Sequence, residues 1–369
     1  MSNLDPKPSV AFYDLSRKIL KYRVEINKAV KNTIDSGNVV LGSEVSTFEK
    51  EFSEYLGAKY CIGTANGTDS IEIALRAVGA ELRTKVATCA NAGGYSSTAI
   101  NCVGATPIYM DVDMNTRNIS LASVQNAISE GAEVVIATHL YGMAIAEIKE
   151  ISTYCKVNNV NLLEDCAQAH GAEIDGKKVG TFGDLSAFSF YPTKNLGALG
   201  DAGAVVTNSV DYYSKLQKLR TYGWSEKYKT DTVGGRNSRL DEIQAAILRV
   251  FLQHLEEDNA KRLEIANFYN KNINSEDIFK PQWGKKQYVA HIYSVSSKYR
   301  SEYLEKLSLA GIGYAIHYPI PDHKQQIFRE RFGNLENTEN LSKSIFSLPC
   351  YPELTMAEAE IVVNTINSR

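Results

Sequence analysis

The sequence lacks the features that would assign it to several special classes of protein. No apolar run approaches the length needed to cross a bilayer. The six cysteines are scattered without paired or metal-ligand spacing, which favours buried free thiols and makes a metal site unexpected. Lys+Arg number 40 against 43 Asp+Glu, a net charge of −3, and no basic stretch suggests a nucleic-acid surface. We therefore expect a soluble protein that binds neither membrane nor nucleic acid.

The beginning of the chain also lacks a targeting signal. Residues 1–10 read MSNLDPKPSV, with neither the basic start nor the apolar core of a signal peptide, so we expect a cytoplasmic protein. A length of 369 residues is long for one compact domain and favours two lobes. We expect a large domain over residues 10–250 and a smaller C-terminal domain over residues 251–369.

Short apolar segments alternate with helical patterns along the chain. Helical spacing is found at 16–36, for example, and from about 239 toward 269, where we expect a long helix joining the two lobes. The predicted strands include 60–63, 107–110, 133–138, 160–164, 187–190 and 203–207. This alternation predicts an α/β fold with a largely parallel sheet between helices. In such sheets ligands bind at the carboxyl ends of the strands, so the residues after each strand are the candidates for a site.

The first candidate segment, residues 63–70, leads from a strand into a helix. Gly67 allows the backbone to approach an anion, and the amide groups of a helix start favour a phosphate. The hydroxyl of Thr68 could add a hydrogen bond. Taken alone, the segment is better explained as an ordinary helix start, capped by Thr68 or Asp69.

The second segment, residues 162–171, places two acids, Glu164 and Asp165, at the end of an apolar strand. A buried carboxylate there needs a partner. Asp165 could keep a pyridine nitrogen protonated, and Gln168 could contact the same ring. A helix cap or a salt bridge explains the pair of acids equally well.

The third segment, residues 187–203, places Lys194 on a glycine-bounded loop after an aromatic strand. A lysine in this position can form a Schiff base if its pKa is lowered. Ser189 could bind a phosphate. An isolated lysine is usually a solvated surface charge, but apolar residues and glycine surround this one.

The fourth segment, residues 234–246, is a polar loop that enters a helix. Asn237 and Arg239 could reach an anion. Without further context, capping of the helix explains them better.

Together these segments resemble the DegT/DnrJ/StrS group, the fold-type I pyridoxal-phosphate (PLP) sugar aminotransferases. The matching patterns are Asn-Gly-Thr-Asp at 66–69, Glu-Asp-Cys-Ala-Gln-Ala-His-Gly at 164–171, Ser-Phe-Tyr-Pro-Thr-Lys-Asn-Leu at 189–196 and the glycine-to-alanine pattern at 235–246. Each pattern alone is weak, but their order and spacing make the set specific. The resemblance covers nearly the whole chain and implies a large lobe with a mostly parallel sheet plus a smaller C-terminal α/β lobe.

The resemblance implies a role for each matched residue. Lys194 would carry the cofactor, pyridoxal 5′-phosphate, and shuttle the proton between cofactor and substrate carbons. Asp165 would pair with the pyridinium nitrogen, and Gln168 would contact the ring or its 3′ oxygen. The residues holding the phosphate would be Gly67, Thr68 and Ser189, with Asn237 reaching the phosphate of the neighbouring subunit. That last contact implies a homodimer with two shared active sites.

Two positions depart from the family pattern. Relatives commonly have Thr-Phe or Thr-Tyr where this chain has Ala92 and Gly93, and that aromatic residue covers the cofactor ring. Tyr95, two residues further on, is the candidate to replace it. Asp201 stands where many relatives have glutamate, a change from which we expect little effect.

By resemblance, the reaction moves an amino group from L-glutamate to a nucleotide-linked keto-6-deoxy sugar, for surface polysaccharide such as lipopolysaccharide O-antigen or for an antibiotic sugar. The segment 311–323 looks most like enzymes that aminate C3 of a dTDP-linked 3-keto-6-deoxyhexose. His317, Tyr318 and His323 are its candidate sugar contacts, although local packing around the prolines explains His317 equally well. A 4-keto sugar is the alternative acceptor.

Two other functions compete with this one. An NAD-dependent sugar oxidoreductase is disfavoured, because no Gly-x-Gly-x-x-Gly pattern follows the first strand. A regulatory protein could keep the fold and lose the chemistry. Relatives that become sugar dehydratases replace the lysine by histidine, and the intact Lys194 favours transamination.

Overall fold

A computed structural model describes residues 9–328 and 335–368. Most of the N-terminal stretch in which no signal peptide is expected therefore lies outside the described residues. The helices are α1 (Leu15–Lys21), α2 (Arg23–Ser36), α3 (Ser43–Leu56), α4 (Gly67–Ala77), α5 (Tyr95–Cys102), α6 (Leu121–Ser129), α7 (Ile148–Val157), α8 (Val210–Leu219), α9 (Glu242–Leu252), α10 (Leu255–Asn272), α11 (Arg300–Leu309), α12 (Glu336–Ser344) and α13 (Met356–Asn367). The strands are β1 (Tyr60–Thr64), β2 (Lys85–Cys89), β3 (Thr106–Met110), β4 (Val134–Thr138), β5 (Asn161–Asp165), β6 (Glu173–Ile174), β7 (Lys177–Lys178), β8 (Leu185–Ser189), β9 (Gly203–Thr207), β10 (Trp224–Glu226), β11 (Lys229–Thr230), β12 (Tyr293–Ser296) and β13 (Ile345–Leu348).

Seven strands form the central sheet in the order β1-β9-β8-β5-β4-β2-β3. Only β9 runs against its two neighbours, and the other six strands are parallel to one another. The interior strands β4 and β9 are buried along their whole length, as expected for a sheet covered on both faces. The predicted α/β fold with a mostly parallel sheet is confirmed.

Apolar side chains form the core on both faces of this sheet and beneath the C-terminal part of the chain. The C-terminal cluster packs β12 and β13 against α10, α11 and α13. Val10 is completely buried in it and pairs with Ile312, so the first described residues join the C-terminal part. The domain limits of 10–250 and 251–369 stay a prediction.

Two predicted helices are divided in the structure. The pattern over 16–36 breaks at Tyr22, which packs its buried ring against Phe251 and His254. The pattern from 239 toward 269 becomes α9 and α10 with a turn at 253–254. Neither break contains glycine or proline, the residues that ordinarily mark one. Tertiary packing of Phe251 and Leu255 into one core ends the first helix and redirects the second.

None of the helices within the described ranges is both long enough and apolar enough to span a bilayer.

Candidate active site

A cavity of about 540 Å³ opens at the carboxyl ends of five parallel strands, β1, β2, β4, β5 and β8. It gathers most of the predicted site residues on its walls: Gly67, Thr68, Tyr95, Asp165, Gln168, Ser189, Lys194, His317 and Tyr318. Within the described part of the chain, the lining does not include Asn237 or His323. The chain order explains the clustering, because each strand delivers the residues that follow it to the same edge of the sheet.

The start of α4 forms a narrow cradle against β8. Asn66 caps this helix by accepting a hydrogen bond from the backbone N–H of Asp69 at 2.8 Å, so the cap is neither Thr68 nor Asp69. A Cβ placed on Gly67 would lie only 2.5 Å from the Cβ of Ser189. The amides of Gly67 and Thr68, in the first turn, have no acceptor within the helix and are available to an anion.

The two acids at the end of β5 have separate tasks. Glu164 is fully buried and accepts hydrogen bonds from the backbone N–H groups of Gly180, Phe182 and Gly183 at 2.7–2.8 Å. It also accepts from Nε2 of His139 at 3.0 Å, since Nδ1 of that ring accepts the N–H of Ile145. These contacts hold the pKa of Glu164 below its usual value against the effect of burial. Glu164 therefore fixes the backbone beneath the site.

Asp165 faces the cavity with spare hydrogen-bonding capacity. Its Oδ1 accepts the N–H of Ala167 at 3.0 Å, and Oδ2 has a longer bond of 3.4 Å from the hydroxyl of Thr138. Burial raises the pKa of this carboxyl. A cationic N–H donor in the cavity would offset that desolvation and hold the carboxylate ionised.

Lys194 lies on the cavity wall with protein on its other sides. No hydrogen bond from its Nζ to another described residue is present, and the residue lines the cavity. Burial lowers the pKa of Lys194 to about 8, although the charge of Asp165 acts in the opposite direction. About a tenth of the amine is therefore uncharged at pH 7, far more than for an ordinary lysine, and this fraction can attack a carbonyl carbon.

His291 is a cavity residue that the sequence did not single out. The side chain of Asn195, the residue after Lys194, donates from Nδ2 to Oδ1 of Asn259 at 2.7 Å and to the carbonyl of Val289 at 2.9 Å. Its Oδ1 is thus the acceptor for Nδ1 of His291, at 3.0 Å. Burial lowers the pKa of His291 well below its usual value, so the ring is neutral and Nε2 is an acceptor.

Gln168 joins the large lobe to the segment after α11. Its Oε1 accepts the backbone N–H of Tyr141 at 2.6 Å, which fixes the orientation of the amide. Its Nε2 donates to the hydroxyl of Tyr318 at 3.0 Å. The phenol of Tyr141 in turn donates to the carbonyl of His317. These three hydrogen bonds hold residues 317–318 in place as one wall of the cavity.

Of the other predicted site residues, His317 and Tyr95 line the cavity, whereas His323 and Asn237 lie outside its lining. The Nδ1 of His317 shares a hydrogen bond with the hydroxyl of Ser347 at 3.0 Å, and burial lowers the pKa of this histidine to about 4. Tyr95 begins α5 at the cavity mouth, with about half of its surface exposed. His323 is buried behind α5, and its Nε2 bonds to Glu339 at 3.1 Å. Asn237 is exposed on the loop before α9, where its backbone pairs with Thr221.

The comparison with protein families assigns the chain to a family. The sequence model of the DegT/DnrJ/EryC1/StrS aminotransferase family matches residues 21–367. The chain belongs to this family. The predicted family and the predicted class of enzyme, a PLP-dependent aminotransferase, are both confirmed.

Individual relatives extend over the whole chain. A dTDP-3-amino-3,6-dideoxy-alpha-D-galactopyranose transaminase of Aneurinibacillus thermoaerophilus is 40% identical over 360 residues, which are 97% of this chain and 99% of the relative. A protein of Geobacillus stearothermophilus named pleiotropic regulatory protein is 35% identical over 97% of this chain and 98% of its own. The solved structure of NtdA from Bacillus subtilis, with its bound cofactor PMP, has a TM-score of 0.91 at 27% identity and covers 99% of this chain and 86% of its own.

Proposed function

We propose that this aminotransferase holds pyridoxal phosphate on Lys194 and transfers an amino group from L-glutamate to a nucleotide-linked keto-6-deoxy sugar. The observation that carries the proposal is the convergence of an unpaired lysine amine, a buried carboxylate and an anion cradle on one cavity. These are the three groups that a pyridine ring with an aldehyde and a phosphate requires. The bound PMP of NtdA supports the same cofactor chemistry.

The residues fit the cofactor at both of its charged ends. Gly67, Thr68 and Ser189 would hold the phosphate, because Gly67 leaves room for it and the first amides of α4 point to it. Asp165 would accept the pyridinium N–H, which compensates the cost of burying its carboxylate. Gln168, oriented by Tyr141, would donate to an oxygen on the ring.

The bound cofactor supplies an electron-withdrawing ring that stabilises the negative charge left when a proton leaves the amino-bearing carbon. Lys194 moves that proton, since its Nζ can accept it as a neutral amine and return it to the neighbouring carbon. Asp165 would accept the N–H of the ring nitrogen and so favour its protonated form. Leu140, Ile292 and Tyr318 line the same cavity and exclude water from the reacting atoms.

We propose that the acceptor is a dTDP-linked 3-keto-6-deoxyhexose, which would give a dTDP-3-amino-3,6-dideoxyhexose. The name of the Aneurinibacillus relative supports this class, and a 4-keto sugar is the alternative within the family. His317 and Tyr318 would contact the sugar. The placement of His323 behind α5 gives it an indirect part, through the segment that carries Tyr318.

We propose a homodimer in which Asn237 reaches the phosphate bound by the neighbouring subunit. Asn237 is exposed, is not among the described residues that line the cavity of its own chain, and pairs with Thr221, the residue before the exposed Tyr222. Tyr222, Tyr228 and Val233 are 40%, 79% and 96% exposed there, which is typical of a surface that a partner covers.

The deciding experiment is a spectrum of the purified protein with pyridoxal phosphate, recorded before and after L-glutamate. Conversion of the visible band of the lysine-linked cofactor to the shorter-wavelength band of the amino form would support the cofactor, the linkage and the donor. Return of the visible band with dTDP- or UDP-keto sugars would then identify the acceptor. A visible band that stays unchanged after addition of L-glutamate and of every other amino donor tested would contradict the proposed reaction.

A regulatory role is the second candidate, because one relative bears a regulatory name. The substitution Lys194→Ala separates the two functions. An enzyme loses turnover almost completely, whereas a sensor that does not use the chemistry keeps its response to the ligand.

A further inference from the structure

We propose that Gly93 is a specificity-determining position, because the absence of a side chain there admits the ring of Tyr318 into the wall of the active-site cavity. The inference rests on the proposed function insofar as this wall contacts the acceptor sugar. The contact between the two residues is independent of it.

The contact is set by the backbone of the turn after β2. Gly93 has φ of +83°, and a Cβ built on it would lie 2.7 Å from Cε1 and 2.8 Å from Cδ1 of Tyr318. Atoms at such distances overlap, so the phenol ring lies directly against the α carbon of Gly93. No residue with a side chain could occupy position 93 without displacement of that ring.

Tyr318 has little freedom to move away. Its hydroxyl accepts the hydrogen bond from Nε2 of Gln168 at 3.0 Å, and the amide of Gln168 is fixed by Tyr141. The ring of Tyr318 also packs against the ring of Tyr95 in an edge-to-face arrangement, with 6.4 Å between the ring centroids. A shift of Tyr318 would therefore disturb Gln168, Tyr95 or both, and all three line the cavity.

The position of the wall suggests which ligand it affects. Lys194, Asp165 and the cradle at Gly67 come from the carboxyl ends of the central strands. Tyr318 comes instead from the C-terminal part of the chain, beside His317. His317 and Tyr318 thus reach the cavity from a different part of the chain than the phosphate cradle does, and we assign the wall that they form to the second substrate. Gly93 determines how far this wall extends into the cavity.

Gly94 provides a matched control for a test. Its φ of +84° is within 1° of that of Gly93, but a Cβ on Gly94 would meet nothing within 4 Å. Gly93→Ala and Gly94→Ala therefore carry the same backbone strain, and only the first collides with Tyr318.

The first measurement is the melting temperature of the cofactor-free chain. We expect Gly93→Ala to melt about 3 °C or more below Gly94→Ala, because the added methyl group overpacks the contact. In a Tyr318→Ala background the two alanine variants should melt together. Equal melting temperatures in the presence of Tyr318 would overturn the contact, whatever the chain catalyses.

The second measurement separates the two half-reactions of the loaded enzyme. We expect kcat/KM for the keto sugar to fall at least about 10-fold in Gly93→Ala relative to Gly94→Ala, a loss of about 1.4 kcal/mol or more. Because Tyr318 contacts Gln168, cofactor affinity and the half-reaction with L-glutamate should also fall, but by no more than about 3-fold. Equal losses in both half-reactions would overturn the assignment to the sugar. A wild-type chain without any cofactor band would instead refute the proposed function and leave the melting test valid.

Discussion

Nδ1 of His291 donates to Oδ1 of Asn195 across 3.0 Å and so links the cavity wall to the residue that follows Lys194. Asn195 is buried, and its amide nitrogen is already committed to Asn259 and Val289. The histidine is therefore the donor that completes the hydrogen bonding of the side chain next to the cofactor lysine. Its own Nε2 is left as an acceptor.

Replacing His291 separates these two contributions. His291→Leu leaves Oδ1 of Asn195 buried without a donor and should lower the free energy of unfolding by about 1–3 kcal/mol. His291→Asn is the matched variant, because its amide nitrogen can take the place of Nδ1 while Nε2 is lost. We expect it to retain most of the stability, measured by urea unfolding, and to show reduced transamination. Equal stability of His291→Leu and wild type would contradict the linkage.

Loss of charge should lower the stability of the chain strongly at Glu164 and hardly at all at Asp165. Glu164→Gln places an amide N–H₂ among donors and should cost about 3–5 kcal/mol of stability. Asp165→Asn removes a charge whose burial is unfavourable, so stability should change by less than about 1 kcal/mol.

The substitution Asp165→Asn should affect the rate of the reaction far more than the stability of the chain. Asp165→Asn should slow the half-reaction with L-glutamate at least about 100-fold, since nothing then holds the ring nitrogen protonated. Stopped-flow absorbance on the folded variants measures the rate. An Asp165→Asn variant that reacts like the wild type would show that this carboxylate is not the partner of the ring.

Attachment of the cofactor should depend on pH through Lys194. Its pKa is lowered to about 8, and only the neutral amine attacks. The rate of appearance of the visible band should therefore rise through pH 8 and level off, whereas a lysine with the ordinary value near 10.5 would still be gaining reactivity. A free lysine derivative measured in parallel corrects for ionisation of the cofactor itself. A rate that keeps rising to pH 10 would contradict the lowered pKa.

Shared active sites can be tested by mixing two inactive variants. In a dimer of Lys194→Ala with Asn237→Ala, one of the two sites would contain both substitutions and the other neither. Mixtures exchanged between subunits should therefore regain activity that neither variant has alone, detected by turnover after mixing. Mixing two batches of Lys194→Ala is the control. Absence of any recovery, with exchange verified by tagged subunits, would place Asn237 outside the site.

Much of the fold followed from local signals. Strands such as β4 and β9 are uninterrupted apolar runs, and their alternation with helices predicted the parallel sheet. The strand β2 was not among those named. The turns at Tyr22 and at 253–254 lack glycine and proline, so only the packing of the folded chain determines them.

The sequence predicted those site residues that lie at or just after the end of a strand. Asp165 and Ser189 end the neighbouring strands β5 and β8, and Gln168 and Lys194 follow them, so their convergence was expected from the sheet alone. His291 arrives from a distant part of the chain through its bond to Asn195, and no local pattern marks such a contact.

The most direct test of the account is the identity of the lysine that carries the cofactor. The protein is mixed with pyridoxal phosphate, reduced with borohydride to make the linkage permanent, digested and analysed by mass spectrometry. We expect cofactor on the peptide containing Lys194 in the wild type and none at that position in Lys194→Ala. Cofactor on a different lysine, or no stable attachment at all, would contradict it.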